Sequence, residues 1–238
     1  MRVAFVMGEY PGEEVDRRAK TALSYATPEI EVGIIQAPIT PYFHGMSPTE
    51  TILVAPKVIE GFVEAERRGY DAAVPLGFLD LGVEGGKSAV SIPIVPPFQS
   101  SLHIASMLGD RFGLISYKAE QFPILEELAR RYRMMDRVVG MEESGFDLPD
   151  ILANRDAMVE QFVAAGRKLV REHRAEVIIP AGITQCPVHI DPNWLSKELG
   201  VPVVEGIGAP IRFAAMLASL GLSQSRARYP LSPTYARK

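Results

Sequence analysis

The sequence has little cysteine, histidine and tryptophan: one, four and one respectively in 238 residues. A single thiol, Cys186, cannot close an internal disulfide, so the expected setting is a reducing, cytoplasmic one. Four histidines without a C-x-x-C or H-x-x-x-H spacing argue against a structural zinc site, and no metal is expected. No run of 18 apolar residues is present, which argues against a transmembrane helix and a membrane partner. Nor is there an excess of basic charge. Lys and Arg number 25 against 29 Asp and Glu, scattered along the chain, which argues against a nucleic-acid partner. The opening "MRVAFVMGEYPGEE" has an apolar run too short for a signal peptide and reads as a first β-strand.

What remains is 47% hydrophobic and 23% charged, the composition of a soluble globular enzyme or binding protein. The length allows one large domain or two small ones, with a core that needs no staples. An internal duplication favours two. "RVAFVMGEY" from Arg2 resembles "RFGLISYKA" from Arg111, and "IPIVPPFQS" from Ile92 resembles "VPVVEGIGA" from Val201, both at an offset of 109 (111 − 2 and 201 − 92). "DAAVPLG" (Asp71 to Gly77) resembles "EVIIPAG" (Glu176 to Gly182) at an offset of 105 (176 − 71). Each half reads strand, helix, strand, helix, strand, helix. The strands are short apolar runs suited to a sheet buried on both faces. Amphipathic helices include Ala55 to Gly69, entered after Ser47-Pro48, and Asn154 to His173. The expected fold is α/β: two pseudo-symmetric αβα lobes with parallel sheets and an active site in the cleft between them. The expected divisions are 1–109, with the C-terminal helix 205–221 packed on it, then 110–204, then a tail 222–238.

Ligands of such sheets bind beyond the strand carboxyl ends. There the chain has Glu9 and Tyr10 after the first strand, matched by Ser116, Tyr117 and Lys118 in the second half. After the middle strands come "GFLDLG" (Gly77, Phe78, Asp80) and "GITQC" (Gly182, Ile183, Thr184, Gln185, Cys186). Glycine at both matched positions lets backbone N–H groups approach a ligand, so Gly182 to Gln185 is a candidate anion-binding turn. Ser100 and Ser101 open another helix, either capping it or binding a carboxylate.

These segments resemble the aspartate/glutamate/hydantoin racemase superfamily, which includes maleate isomerases and arylmalonate decarboxylases. The likeness rests on "GYDAAVPLGFLDLG", "IPIVPPFQSSLHIASMLGDRFGLIS", "AEVIIPAGITQ", "LGVPVVEGIGAPIRFAAMLASLG" and the closing "SQSRARYPLSPTYA". It implies cofactor-free chemistry on a small carboxylate or cyclic amide and assembly as a homo-oligomer. The family's racemases use two cysteines, one after each middle strand, to remove and return an α-proton. Here those positions fall on Gly77 and Gly182, so the resemblance implies an atypical member without the thiol pair. Cys186 lies four residues beyond the second position, either drawn in by a rearranged loop or packed as a small apolar residue.

The other acid/base candidates are Glu9, Tyr10, Asp80, Tyr117, Lys118, His44 and His189. Glu9 leads. A carboxylate facing a carboxylate substrate is expected to have a raised pKa, whereas the competing reading makes it a helix N-terminal charge. Asp80 is expected to shape its loop. His44 sits in a Pro- and aromatic-rich connection, either a flap or plain surface, and His189 follows Cys186. His103 and His173 read as structural or exposed. Two function classes stay open. One is an enzyme of isomerase/racemase type, or a lyase, decarboxylase or hydrolase. The other is a non-catalytic carboxylate-binding or regulatory protein that keeps the pocket.

Overall fold

A computed structural model describes residues 1–10, 12–37 and 48–235. In chain order the elements are β1 (Arg2–Met7), α1 (Glu14–Leu23), β2 (Glu31–Gln36), α2 (Pro48–Arg67), β3 (Ala72–Pro75), α3 (Val83–Ala89) and α4 (Pro97–Ala105). They continue as β4 (Phe112–Ser116), α5 (Phe122–Arg131), β5 (Val138–Glu143), α6 (Leu148–Ala153), α7 (Arg155–Arg171), β6 (Val177–Pro180), α8 (Pro192–Leu199) and α9 (Gly208–Ser219). The mixed α/β class expected from the alternation is the one observed.

Two parallel sheets form, ordered β2-β1-β3 and β5-β4-β6. The repeat in the sequence reappears in their registers. Phe5 pairs with Val74 in the first sheet and Leu114 with Ile179 in the second, the same offsets of 109 (114 − 5) and 105 (179 − 74). A further parallel bridge extends each sheet, Ala73 with Ile94 and Ile178 with Val203, again 109 apart (203 − 94) along the outer partner. Two stretches so alike in apolar pattern reach one strand order because both bury short runs on two faces and cross over with the same hand.

The chain divides into two units, Met1–Pro97 with Pro210–Lys238, and Phe98–Ala209. It therefore leaves and re-enters the first unit within the opening turns of α4 and α9. In the first unit α2 covers the sheet through Val54, Val58, Phe62 and Ala65, spaced three or four apart on one face. In the second, α7 does the same with Met158, Phe162, Ala165 and Leu169. Fully burying a side chain the size of Phe62 or Phe162 contributes roughly 1.5–3 kcal/mol. No helix among the described residues is long and apolar enough to cross a membrane.

Candidate functional site

In the first unit, β1 ends in an extended segment carrying Glu9 and Tyr10. Glu9 is exposed, and α1 begins five residues later with Glu14 and Asp16 as the acids of its first turn. Tyr10 lies against a buried ion pair. The Arg18 guanidinium sits 3.9 Å from its ring centre and binds the Glu14 carboxylate one helical turn away. Burial raises the Tyr10 phenol above its ordinary pKa, and Arg18 works against that rise.

After β3 the chain turns through Gly77, buried Phe78 and Asp80 into α3. Gly77 adopts φ +107° and an added Cβ there would meet nothing within 4 Å. Asp80 (φ 50°) and Gly82 (φ 71°) are also left-handed, which makes this a sharply folded turn, as expected for Asp80.

In the second unit the turn after β6 is built differently. Register makes Gly182 the counterpart of Gly77, since Pro75 and Pro180 occupy matching sites against Val6 and Ile115. Yet a Cβ on Gly182 would lie 2.8 Å from Tyr117 Cζ and 2.9 Å from Gln185 Oε1. Tyr117 is anchored by packing on the core and by the Thr184 N–H, which donates to its Oη at 3.0 Å. Gln185 is fully buried and its Nε2 donates to Ser144 Oγ and to Phe146 O (3.1 Å). A carbonyl only accepts, so the amide orientation is fixed, and Oε1 meets no donor among the described residues.

The expected anion-binding turn is partly consumed by the fold. The Thr184 amide goes to Tyr117, and those of Gln185 and Cys186 return to Gly182 O at 3.0 and 3.1 Å. Ile183 lies buried beside them.

Cys186 is fully buried within the second core, among residues such as Phe162 and Leu195. Burial first, then the negative charges of Glu205 and Asp191, push its thiol pKa well above the ordinary value. A thiolate is disfavoured there, the opposite of what a nucleophile or base needs. His189 lines a groove between α7 and α8 with Arg155 and Trp194, and its carbonyl accepts from Arg155 Nη2 at 2.8 Å. Lys118 binds Asp147 at 3.2 Å, which raises its pKa and keeps it charged. Buried Ser116 donates to Gln121 Oε1.

Ser100 and Ser101 do not cap a helix, contrary to one reading of the sequence. α4 starts earlier, at Pro97, so both lie a turn inside it and buried, Ser101 Oγ facing Glu205 O at 3.5 Å. Proline suits a first helical turn because its missing N–H is not needed there. His103 and His173 bind backbone carbonyls, Gln99 O at 2.7 Å and Val139 O at 3.1 Å. His44 lies outside the described residues. Among the described residues no group of three His, Cys, Asp or Glu is placed to hold a metal ion. The Arg18–Glu14 pair beneath Tyr10 was missed in the sequence. Its i,i+4 spacing was visible, but nothing in it distinguishes a buried pair from a surface one.

Two parallel three-stranded α/β units, each with a glycine turn at the end of its third strand, define an α/β protein of the racemase fold. The chain belongs to the Asp/Glu/hydantoin racemase family, whose model matches residues 14–214. It is 31% identical to a hydantoin racemase from Pseudomonas sp. (strain NS671) over 188 residues, 77% of this chain and 74% of that one. Among solved structures it is similar to the allantoin racemase from Pseudomonas fluorescens, with a TM-score of 0.85 and 25% identity, covering 98% and 97% of the two chains. An unliganded arylmalonate decarboxylase shares the fold at a TM-score of 0.61 and 14% identity, covering 91% of this chain and 92% of its own.

Proposed function

We propose that this protein is a cofactor-independent isomerase that removes and returns a proton at the carbon α to a carbonyl, in a small cyclic amide or carboxylate, without a cysteine pair. The observation that carries the reading is the state of the three thiol-relevant positions. Gly77 and Gly182 stand at equivalent strand ends without side chains, and the one thiol is locked in the core with a raised pKa. The relatives named for hydantoin and allantoin favour the cyclic amide over the carboxylate as substrate. The reading also takes the unpaired thiol as a sign of a reducing cytoplasm.

In this scheme Glu9, exposed beyond β1, takes the α-proton as general base. A water molecule protonates the opposite face of the planar enolate, and the proton Glu9 gives up neutralises the resulting hydroxide. The Tyr10 phenol donates a hydrogen bond, and Tyr117 stands where a side chain on residue 182 would project. The amides of Gly182 and Ile183 stabilise charge on the enolate oxygen.

The test is loss of optical rotation of an enantiopure 5-monosubstituted hydantoin at neutral pH, with deuterium uptake at C5 in heavy water. Glu9→Gln should lower kcat by about 100-fold or more, the usual worth of a general acid/base, while leaving ligand binding in place. Cys186→Ala should keep its activity. Full activity in Glu9→Gln, or a dead Cys186→Ala that folds normally, removes the scheme. A wild-type protein that binds but never turns over would support the non-catalytic alternative instead.

A further inference from the structure

Helix α3 follows directly on the Gly77–Gly82 turn, and its own sequence gives it little stability. It has seven residues, two of them Gly85 and Gly86, and no side chain caps its N-terminus. Helices this short are marginal, and glycine weakens them further. Gly86 is required by packing, since a Cβ there would meet the fully buried Phe62 ring at 2.4 Å, while one on Gly85 would meet only the Ile59 Cδ1 tip, at 2.5 Å. α3 can therefore lie close on α2 only with a poor helix former at position 86. Something else must hold its far end.

That end is held by the C-terminal segment. Arg226 donates from Nη1 to Lys87 O (3.0 Å) and from Nη2 to Val90 O (2.8 Å). Ser232 N–H donates to Ser88 O at 2.8 Å. Gln224 Nε2 donates to Val90 O (2.9 Å) and Ile92 O (3.0 Å), while its Oε1 accepts from Ile94 N–H at 3.3 Å. At the other end of α3, Glu84 accepts from Arg228 and from the Tyr229 hydroxyl. Carbonyls at a helix C-terminus lack intrahelical donors, and here the tail supplies them.

We propose that Ser223–Tyr235 is a positioning strap for the Gly77–Gly82 turn, with Arg226 its principal positioning residue. The strap fixes α3 from both ends, and α3 fixes the turn it follows. The catalytic part of this inference rests on the functional reading above, extended by the expectation from the sequence that the Gly77 backbone approaches the ligand; the mechanical part does not.

Hydrogen exchange on the full-length protein separates the two. In the wild type, amides of one cooperative unit exchange with a common opening free energy. Val90 N–H, which bonds to Gly86 O, should thus share its protection with Ser232 N–H of the strap. Arg226→Ala should speed exchange at 82–90 by about tenfold or more, leave β4–β6 unchanged, and lower kcat more than it raises KM for the hydantoin probe. Arg226→Lys should recover part of both. Wild-type Ser232 exchanging far faster than Val90, or Arg226→Ala leaving 82–90 within twofold of wild type, overturns the strap. Should exchange behave as expected while kcat stays at the wild-type value, the strap is structural only and the positioning role is overturned. A wild type inactive on the probe, with the expected exchange, refutes the functional reading and leaves the mechanical strap supported.

Discussion

Replacing Gly182 by alanine should destabilise the second unit through contacts with two identifiable neighbours. The new Cβ would lie 2.8 and 3.0 Å from Tyr117 Cζ and Cε2, and 2.9 Å from Gln185 Oε1. Neither neighbour yields easily, because Tyr117 is pinned by the Thr184 amide and Gln185 by Ser144 and Phe146. Overpacking of this kind costs about 1–3 kcal/mol. Loss of glycine's freedom in the unfolded chain returns about 0.4–1 kcal/mol, so the net change should be about 1–2 kcal/mol. In a Tyr117→Leu background the clash with the ring is gone and only the contact with Gln185 Oε1 remains, so the same substitution should cost clearly less, a coupling of about 1–2 kcal/mol. Urea unfolding followed by Trp194 fluorescence measures this directly, since the only tryptophan is on α8 of the same unit. A coupling below about 0.5 kcal/mol would show that the Tyr117 ring does not fill the space over Gly182. Gly77 provides the contrast. Gly77→Ala meets no neighbour but places a side chain at φ +107°, so its cost of about 1–2 kcal/mol is backbone strain that no second substitution relieves.

Cys186→Ala should cost about 1 kcal/mol as a small core truncation, and native Cys186 should resist iodoacetamide until urea unfolds the chain. Its raised pKa gives a sign for pH dependence. Above the ordinary thiol value of about 9 the unfolded chain loses the proton that the folded one keeps, so stability falls as pH rises past that point and is intact below it. The difference between wild type and Cys186→Ala should shrink or reverse above pH 9 in unfolding titrations; a difference independent of pH would refute the buried thiol. In the first unit, Arg18→Met should cost about 1–3 kcal/mol, because it removes the buried partner of Glu14 and leaves that carboxylate with Arg17 at 3.3 Å. Adding Glu14→Gln should recover much of that in thermal unfolding, and failure to recover would mean the pair is not what stabilises α1.

Much of the fold was legible because repeats and apolar runs are local signals. The 109 and 105 offsets pointed to a duplicated architecture, and the same offsets recur in the paired registers of the two sheets, down to Ile94 and Val203. The candidate site was legible as a set of strand ends and less so in its particulars. Ser100 and Ser101 looked like caps because serine often is one, yet Pro97 was free to start the helix a turn earlier. Gly77 and Gly182 looked interchangeable in sequence. One is open and left-handed, the other crowded by Tyr117, 65 residues away along the chain (182 − 117).

The sequence by itself determined the α/β alternation, the duplication and the absence of a cysteine at both matched positions, 77 and 182, since each follows from residue type and spacing. Only the tertiary structure decided that Cys186 is core, that Arg18 and Glu14 are buried together, and that the tail completes α3. The physical reason is that burial, pKa and hydrogen-bond partners depend on which distant segment arrives at a point in space. A short stretch such as "GITQC" carries its turn chemistry with it, but not the neighbour that fills it.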